Sequence, residues 1–135
     1  MNRDWGFEKW QQVVNELKDD FVFFQSSFGK DKILQNVINL HNVNFRKSCA
    51  LLSNADLFIG IEGGMQHAAA ALNKKAVVIF GGFINPSITG YDFHKNLYIE
   101  DEKSPCGLKD ECNHCQKCME LITVKMVTKE IKKLF

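Results

Sequence analysis

Two groups of residues in this chain have the types and spacing for chemistry. The first is the stretch IEGGMQHAAAAL, residues 61–72, where Glu62, Gly63, Gly64 and His67 stand between an apolar run and an alanine-rich segment. Adjacent glycines let a ligand approach the backbone and permit dihedrals closed to other residues. A helix starting at Gly64 would present unpaired N–H groups and a partial positive charge, which suit a phosphate or pyrophosphate. Glu62 is suited to accept hydrogen bonds from hydroxyls, such as those of a sugar. His67, one turn into the helix, is suited to donate to a phosphate oxygen. The same residues equally describe a tight strand-to-helix turn, with glycine for packing, His67 half-buried and Glu62 solvated. A short glycine motif does not decide between the two.

The second group is Cys106, Cys112, Cys115 and Cys118, spaced C-x5-C-x2-C-x2-C with His114 among them. Thiolates two residues apart at a turn chelate one tetrahedral ion, and four are enough for structural zinc. Four thiolates also hold iron or an iron–sulfur cluster, although this spacing departs from the ferredoxin run. Reduced thiols packing a small loop, or partial disulfides formed after purification, fit the pattern as well. Cys49 falls on a helical stripe and reads as core, as do Trp5 and Trp10. His41 and His94 read as surface or loop-packing residues.

The elements that must position these groups follow from periodicity. Phe7, Trp10, Val14 and Leu17 share one helical face. FVFF (21–24) has strand length and β-favouring types, KDKILQN is ambiguous with a short helix, and VINL (37–40) reads as a strand. Phe45, Cys49 and Leu52 form the next helical stripe, with Asn44 as N-cap. DLFIGI (56–61) reads as a buried strand, GMQHAAAALN (64–73) as a helix and AVVIF (76–80) as a second buried strand. Strands apolar on both faces alternating with helices predict an α/β fold, a Rossmann-like parallel sheet with helices on both faces. In such sheets ligands bind at the carboxyl ends of the strands, where Gly63 and Gly64 fall. GGFINPSITGYDFHKN reads as a long loop, and Asn85 and Ser87 in it follow a strand's carboxyl end, within reach of a ligand bound there. Tyr91 has two readings, closing over a ligand or packing on the sheet edge. LYI (97–99) reads as a short strand, a cysteine-rich segment covers 104–120, and a helix covers 123–134. Thr123 caps that helix, Ile122 and Val127 staple it, and Val124, Val127, Ile131 and Leu134 face the core.

Composition bounds the rest. At 135 residues, 45% hydrophobic and 24% charged, the chain has the length and composition of one soluble domain, 1–135. Seventeen Lys and Arg against 16 Asp and Glu leave no bulk field for nucleic acid or anionic lipid. No apolar run approaches the ~18 residues of a membrane span, and MNRDWGFEKW carries no signal-peptide core. A cytoplasmic protein with reduced cysteines, binding neither nucleic acid nor membrane, is the expectation.

The stretch ADLFIGIEGGMQHAAAALNKKAVVIFGG resembles the donor-site segment of glycosyltransferase family 9, the ADP-heptose:lipopolysaccharide heptosyltransferases. The likeness continues through NPSITGY, through CGLKDECNHCQKCMELITV and, upstream, through FEKWQQVVNELKDD, so it covers nearly the whole chain. It implies one half of a GT-B fold, a nucleotide-sugar site and a part in lipopolysaccharide or surface-glycan synthesis. Glu62 stands where the family has Asp, Gly64 where it has Gly, and His67 where it has His. Gly63 replaces a hydroxyl residue and Met65 a proline, both lining the same site. The resemblance places the acceptor site and an Asp base on an N-terminal domain with no counterpart here. The implied partners are an ADP-linked sugar donor and either that acceptor domain or a second copy through the same face. This chain alone is then not expected to transfer sugar. Transfer would displace a nucleoside diphosphate at the anomeric carbon with no cofactor required, the charge being stabilised by the helix N-terminus at Gly64. Arg3 and Lys9 lie near a basic position of the family. Some autotransporter heptosyltransferases resembling the family carry a four-cysteine iron site, which leaves structural zinc or iron open here. A catalytically silent nucleotide-binding or assembly module, and an epimerase-like relative preferring UDP, remain the alternatives.

Overall fold

The computed structural model describes residues 4–82, 84–100 and 113–135. Helix α1, Phe7–Leu17, forms on the expected stripe: Val14 and Leu17 are buried, Phe7 and Trp10 half-buried, and Val13 joins them. Trp5 is buried ahead of it, its indole donating to the Ile122 carbonyl at 2.8 Å and meeting Trp10 edge to face.

Strand β1 is Phe24–Ser27, three residues later than FVFF suggests. The Phe21 amide still bonds back to the Leu17 carbonyl at 2.9 Å, so the apolar run begins while the chain is closing α1. KDKILQN forms no helix. The Gln25 side chain accepts from the Leu34 amide and donates to the Lys32 carbonyl, both at 2.9 Å, and these bonds hold the segment as a loop. Strand β2 is Ile38–His41 and helix α2 is Phe45–Ser53, with Asn44 accepting from the Lys47 amide at 2.9 Å. The α2 stripe is shifted from expectation: Ser48 and Leu52 are buried, Cys49 is intermediate, and Phe45 is exposed.

Strand β3 (Leu57–Ile61), helix α3 (Gly64–Ala71) and strand β4 (Lys75–Gly81) follow as predicted. The predicted loop holds a short helix α4, Pro86–Thr89, before strand β5, Lys95–Tyr98. Helix α5, Asn113–Leu121, carries Cys115 and Cys118, which were expected on a turn. Helix α6, Val124–Lys133, is capped by Thr123, whose hydroxyl accepts from the Met126 amide at 3.2 Å. Val127 and Ile131 are buried as expected, and Ile122 with them.

All strand pairs are parallel, in two sets: β1 with β2, and β3-β4-β5 with β4 central. Ala76 to Phe80 in β4 are buried throughout, whereas β3, an edge strand, is only half-buried, contrary to its expected burial. One side of the sheet packs through Val77 and Ile79 on a core with Val13 and Leu17 of α1, Met119 of α5, and Val127 and Ile131 of α6. The other side carries Ala76, Val78 and Phe80, and α3 lies across β3 and β4 with α2 beside it. The fold is α/β, with parallel strands flanked by helices. Among the described residues no helix is long and apolar enough to cross a membrane.

Candidate functional site: the glycine turn at the end of β3

β3 ends at Ile61 and α3 starts at Gly64, so two residues make the whole connection. Gly63 caps the helix with φ +155°, a region that side chains rarely adopt, and open space surrounds the position of its absent Cβ. Gly64 sits in the first turn, where a Cβ would rest 3.5 Å from the Phe45 ring. Phe45 opens α2 and is 58% exposed. The two neighbouring helices thus begin side by side at the carboxyl edge of the sheet, with an exposed aromatic ring against the glycine turn.

Glu62 is buried at 8% exposure, its amide bonded to the Ile79 carbonyl on β4 at 3.1 Å. The reading of a solvated Glu62 therefore fails. Gln66, fully buried, ties the turn together: its Oε1 accepts from the Gly63 amide at 3.2 Å, and its Nε2 donates to the Thr89 carbonyl at 2.9 Å. That second bond brings α4 against α3. His67 is exposed, and its Nδ1 lies 2.7 Å from the Tyr91 hydroxyl. This contact leaves Nε2 as the nitrogen through which the imidazole can meet a ligand. Tyr91 stands in a ring cluster with His67, Phe93 and His94, centroids 5.3 to 6.0 Å from its own. Met65 is half-buried on α3.

Asn85 and Ser87 belong to the same neighbourhood through α4, but their local bonds are structural. Asn85 Oδ1 accepts from the Ser87 amide at 2.9 Å and caps α4. Lys9 also has a structural position. Its Nζ donates to the carbonyls of Met119 (3.0 Å) and Ile122 (3.4 Å) at the end of α5, over the Trp5 ring. Burial lowers its pKa, partly offset by the Glu120 carboxylate. Arg3 lies outside the described residues. A cleft between α1 and α5, lined by Asp4, Trp5, Lys9, Gln116, Met119 and Glu120, shares no residue with the glycine turn.

Gln66 and Phe45 are the residues the sequence reading missed. Gln66 had a signal, its place three residues after an N-cap glycine, where Gln reaches back to the cap. Phe45 looked like core because it fits a helical stripe.

Of the cysteines, Cys115 and Cys118 are buried one turn apart on α5, with Cys118 Sγ 3.4 Å from His114 Nε2. Cys106 and Cys112 lie outside the described residues. Among the described residues, no three metal-type side chains group together.

A profile of glycosyltransferase family 9 (heptosyltransferase) matches residues 2–122. No curated protein is matched by sequence. Among solved structures, the bacterial iron-containing dodecameric glycosyltransferase TibC from enterotoxigenic E. coli H10407 superimposes with a TM-score of 0.79 at 20% identity. The match covers 99% of this chain and 42% of TibC. The dodecameric iron-containing heptosyltransferase TibC in complex with ADP-D-beta-D-heptose gives a TM-score of 0.72 at 19% identity, over 98% and 40% of the two chains. At this identity the likeness shows the fold, and the chain spans about two fifths of these solved chains.

Proposed function

Because the chain belongs to glycosyltransferase family 9, the heptosyltransferase family, we propose that it binds the nucleotide-sugar donor of a glycosyltransferase acting in lipopolysaccharide or surface-glycan synthesis. The observation that carries the reading is the two-residue turn from β3 into α3. There Gly63 and Gly64 clear the backbone at a helix N-terminus, with buried Glu62 on one side and exposed His67 on the other.

The roles follow from the chemistry of each group. Amides of the first α3 turn, from Gly64 onward, hold the pyrophosphate and take up the charge that develops as the nucleoside diphosphate leaves. His67 donates to a phosphate oxygen, held in place by Tyr91. Glu62 accepts from sugar hydroxyls, with Met65, Asn85 and Ser87 around the sugar. The solved neighbour carrying ADP-D-beta-D-heptose supports an ADP-linked donor. The acceptor and the catalytic base lie on polypeptide outside these residues, which the 42% coverage supports.

The test is calorimetric titration of the folded chain with ADP, UDP and GDP, repeated on Gly64→Val. The expected result is saturable binding of ADP, weaker binding of the others, and loss in Gly64→Val with its melting transition retained. UDP preference would point to an epimerase-like relative. Absence of binding in a folded chain would favour an assembly module, a reading supported by the dodecameric state of the neighbour.

The cysteines carry a second, smaller part of the proposal. Buried Cys115 and Cys118 supply two soft thiolates on one helix face, the donor type that iron and zinc prefer. With Cys106 and Cys112 they would make a four-thiolate site of structural kind. Elemental analysis of the purified protein should find close to one zinc or iron per chain, reduced in Cys115→Ser. A metal-free protein with all five of its cysteines titratable as thiols would leave these residues as packing.

A further inference from the structure

Tyr91 is held from two sides. Its hydroxyl lies 2.7 Å from Nδ1 of exposed His67 on α3. Its carbonyl accepts from the His94 amide and from Asn96 Nδ2, each at 3.1 Å. The His94 ring in turn lies 5.3 Å from the Tyr91 ring and 4.5 Å from that of Phe93. Two imidazoles, one exposed and one buried, are thus joined through a single tyrosine. The same segment grips α3 a second time at Thr89, whose carbonyl accepts from the Gln66 amide that also holds Gly63.

His94 is 4% exposed, and neither of its ring nitrogens has a hydrogen-bond partner among the described residues. A neutral imidazole there leaves one donor and one acceptor unpaired, whereas an imidazolium would leave two donors and a charge. Its own loop supplies the Tyr91 and Phe93 rings, and α3 supplies His67 only from beyond Tyr91. The connection from α3 to β4 supplies the Lys74 backbone, whose weak pull on the proton is outweighed by burial. No carboxylate is among the groups acting on the ring, and its chain neighbours Asp92 and Lys95 are exposed. Two more buried oxygens of the segment, Thr89 Oγ1 and Asn96 Oδ1, are likewise unpartnered among the described residues, so opening would let them hydrate.

We propose that the segment from Thr89 to Asn96 is a proton-operated latch, in which protonation of His94 moves its ring into water and Tyr91 lets go of His67. Above pH 6.5 the ring is neutral whether in or out, and pH does not move the latch. Below 6.5 the open form takes up the proton first, so opening grows about tenfold per pH unit down to the folded pKa. On the donor-site reading, an open latch loosens the imidazole that meets the phosphate. The latch itself does not depend on that reading.

The test uses the chain without nucleotide, so its failure is separable from failure of donor binding. Amide exchange is followed by NMR from pH 8 to pH 5, each rate being divided by that of an unstructured peptide at the same pH. The reporters are Gly90 and His94, whose amides bond to the Pro86 and Tyr91 carbonyls. Their protection should fall about tenfold per pH unit below 6.5, while the central strand β4 keeps its own. His94→Phe and His94→Gln, neither of which titrates, should flatten the profile. His67→Asn should raise the level of opening but keep the slope, because the exposed histidine is not the trigger. A flat profile in the unaltered chain, a slope that survives in either His94 variant, or one lost in His67→Asn would overturn the proposal. So would a parallel loss of protection in β4, because His94 would then report global unfolding.

Discussion

Gly63 and Gly64 are adjacent but are glycine for different reasons. Gly63 needs a backbone conformation, φ +155°, with open space around it. Gly63→Ala should therefore cost about 1–2 kcal/mol in urea unfolding through strain alone. Gly64→Ala, whose Cβ makes an ordinary contact with the Phe45 ring, should be close to neutral. Gln66 bonds the turn on one side and α4 on the other, so Gln66→Leu leaves a buried amide and a carbonyl unpaired. Its expected cost is about 2 kcal/mol. His94 sets a pH dependence. It is 4% exposed, and burial pushes its pKa below the ordinary value of 6.5, against a smaller pull from the Lys74 backbone. Above pH 6.5 both folded and unfolded states hold it neutral. As pH falls below 6.5 the unfolded chain takes up the proton first, and stability is lost down to the folded pKa. Tm measured from pH 8 to pH 5 should fall in this window, and less so in His94→Gln. At this scale the sequence showed residue types but not depths. Glu62 and His94 are both buried, a fact set by strands and loops distant in the chain.

At the scale of elements, legibility tracked how local the determinants are. α6 was readable to within a residue because its cap, staple and stripe lie within its own segment. Thr123→Ala should cost about 1 kcal/mol, visible as a lower urea midpoint with an unchanged slope. α2 was located by Asn44, but its stripe rotated, since Phe45 turns to the glycine edge rather than to the core. β1 was misplaced by three residues because apolar run and ladder do not coincide, Phe21 and Phe23 packing on the core before pairing begins. The Cys-rich segment looked like a turn from its spacing, yet Cys115 and Cys118 are helical and their thiols fill the core side of α5. α4 was missed because four residues carry too little periodicity to stand out from a loop.

The whole molecule is a layered α/β unit whose carboxyl edge gathers the starts of α2 and α3 and the rings of Phe45, His67 and Tyr91. That edge was foreseeable, since alternating buried strands and helices dictate where ligands sit in such sheets. The division of the strands into two sets was not, because no local pattern reports which strand lies beside which. Family membership makes the glycine turn the place to look for a donor nucleotide. The most direct measurement is a pair of amide-resolved NMR spectra, taken with and without saturating ADP. Binding at the turn predicts the largest shifts at Gly63, Gly64, Met65, Gln66 and His67, with smaller ones at Phe45 and Tyr91. A folded chain whose spectrum does not change with ADP, or changes only away from the start of α3, would contradict the account.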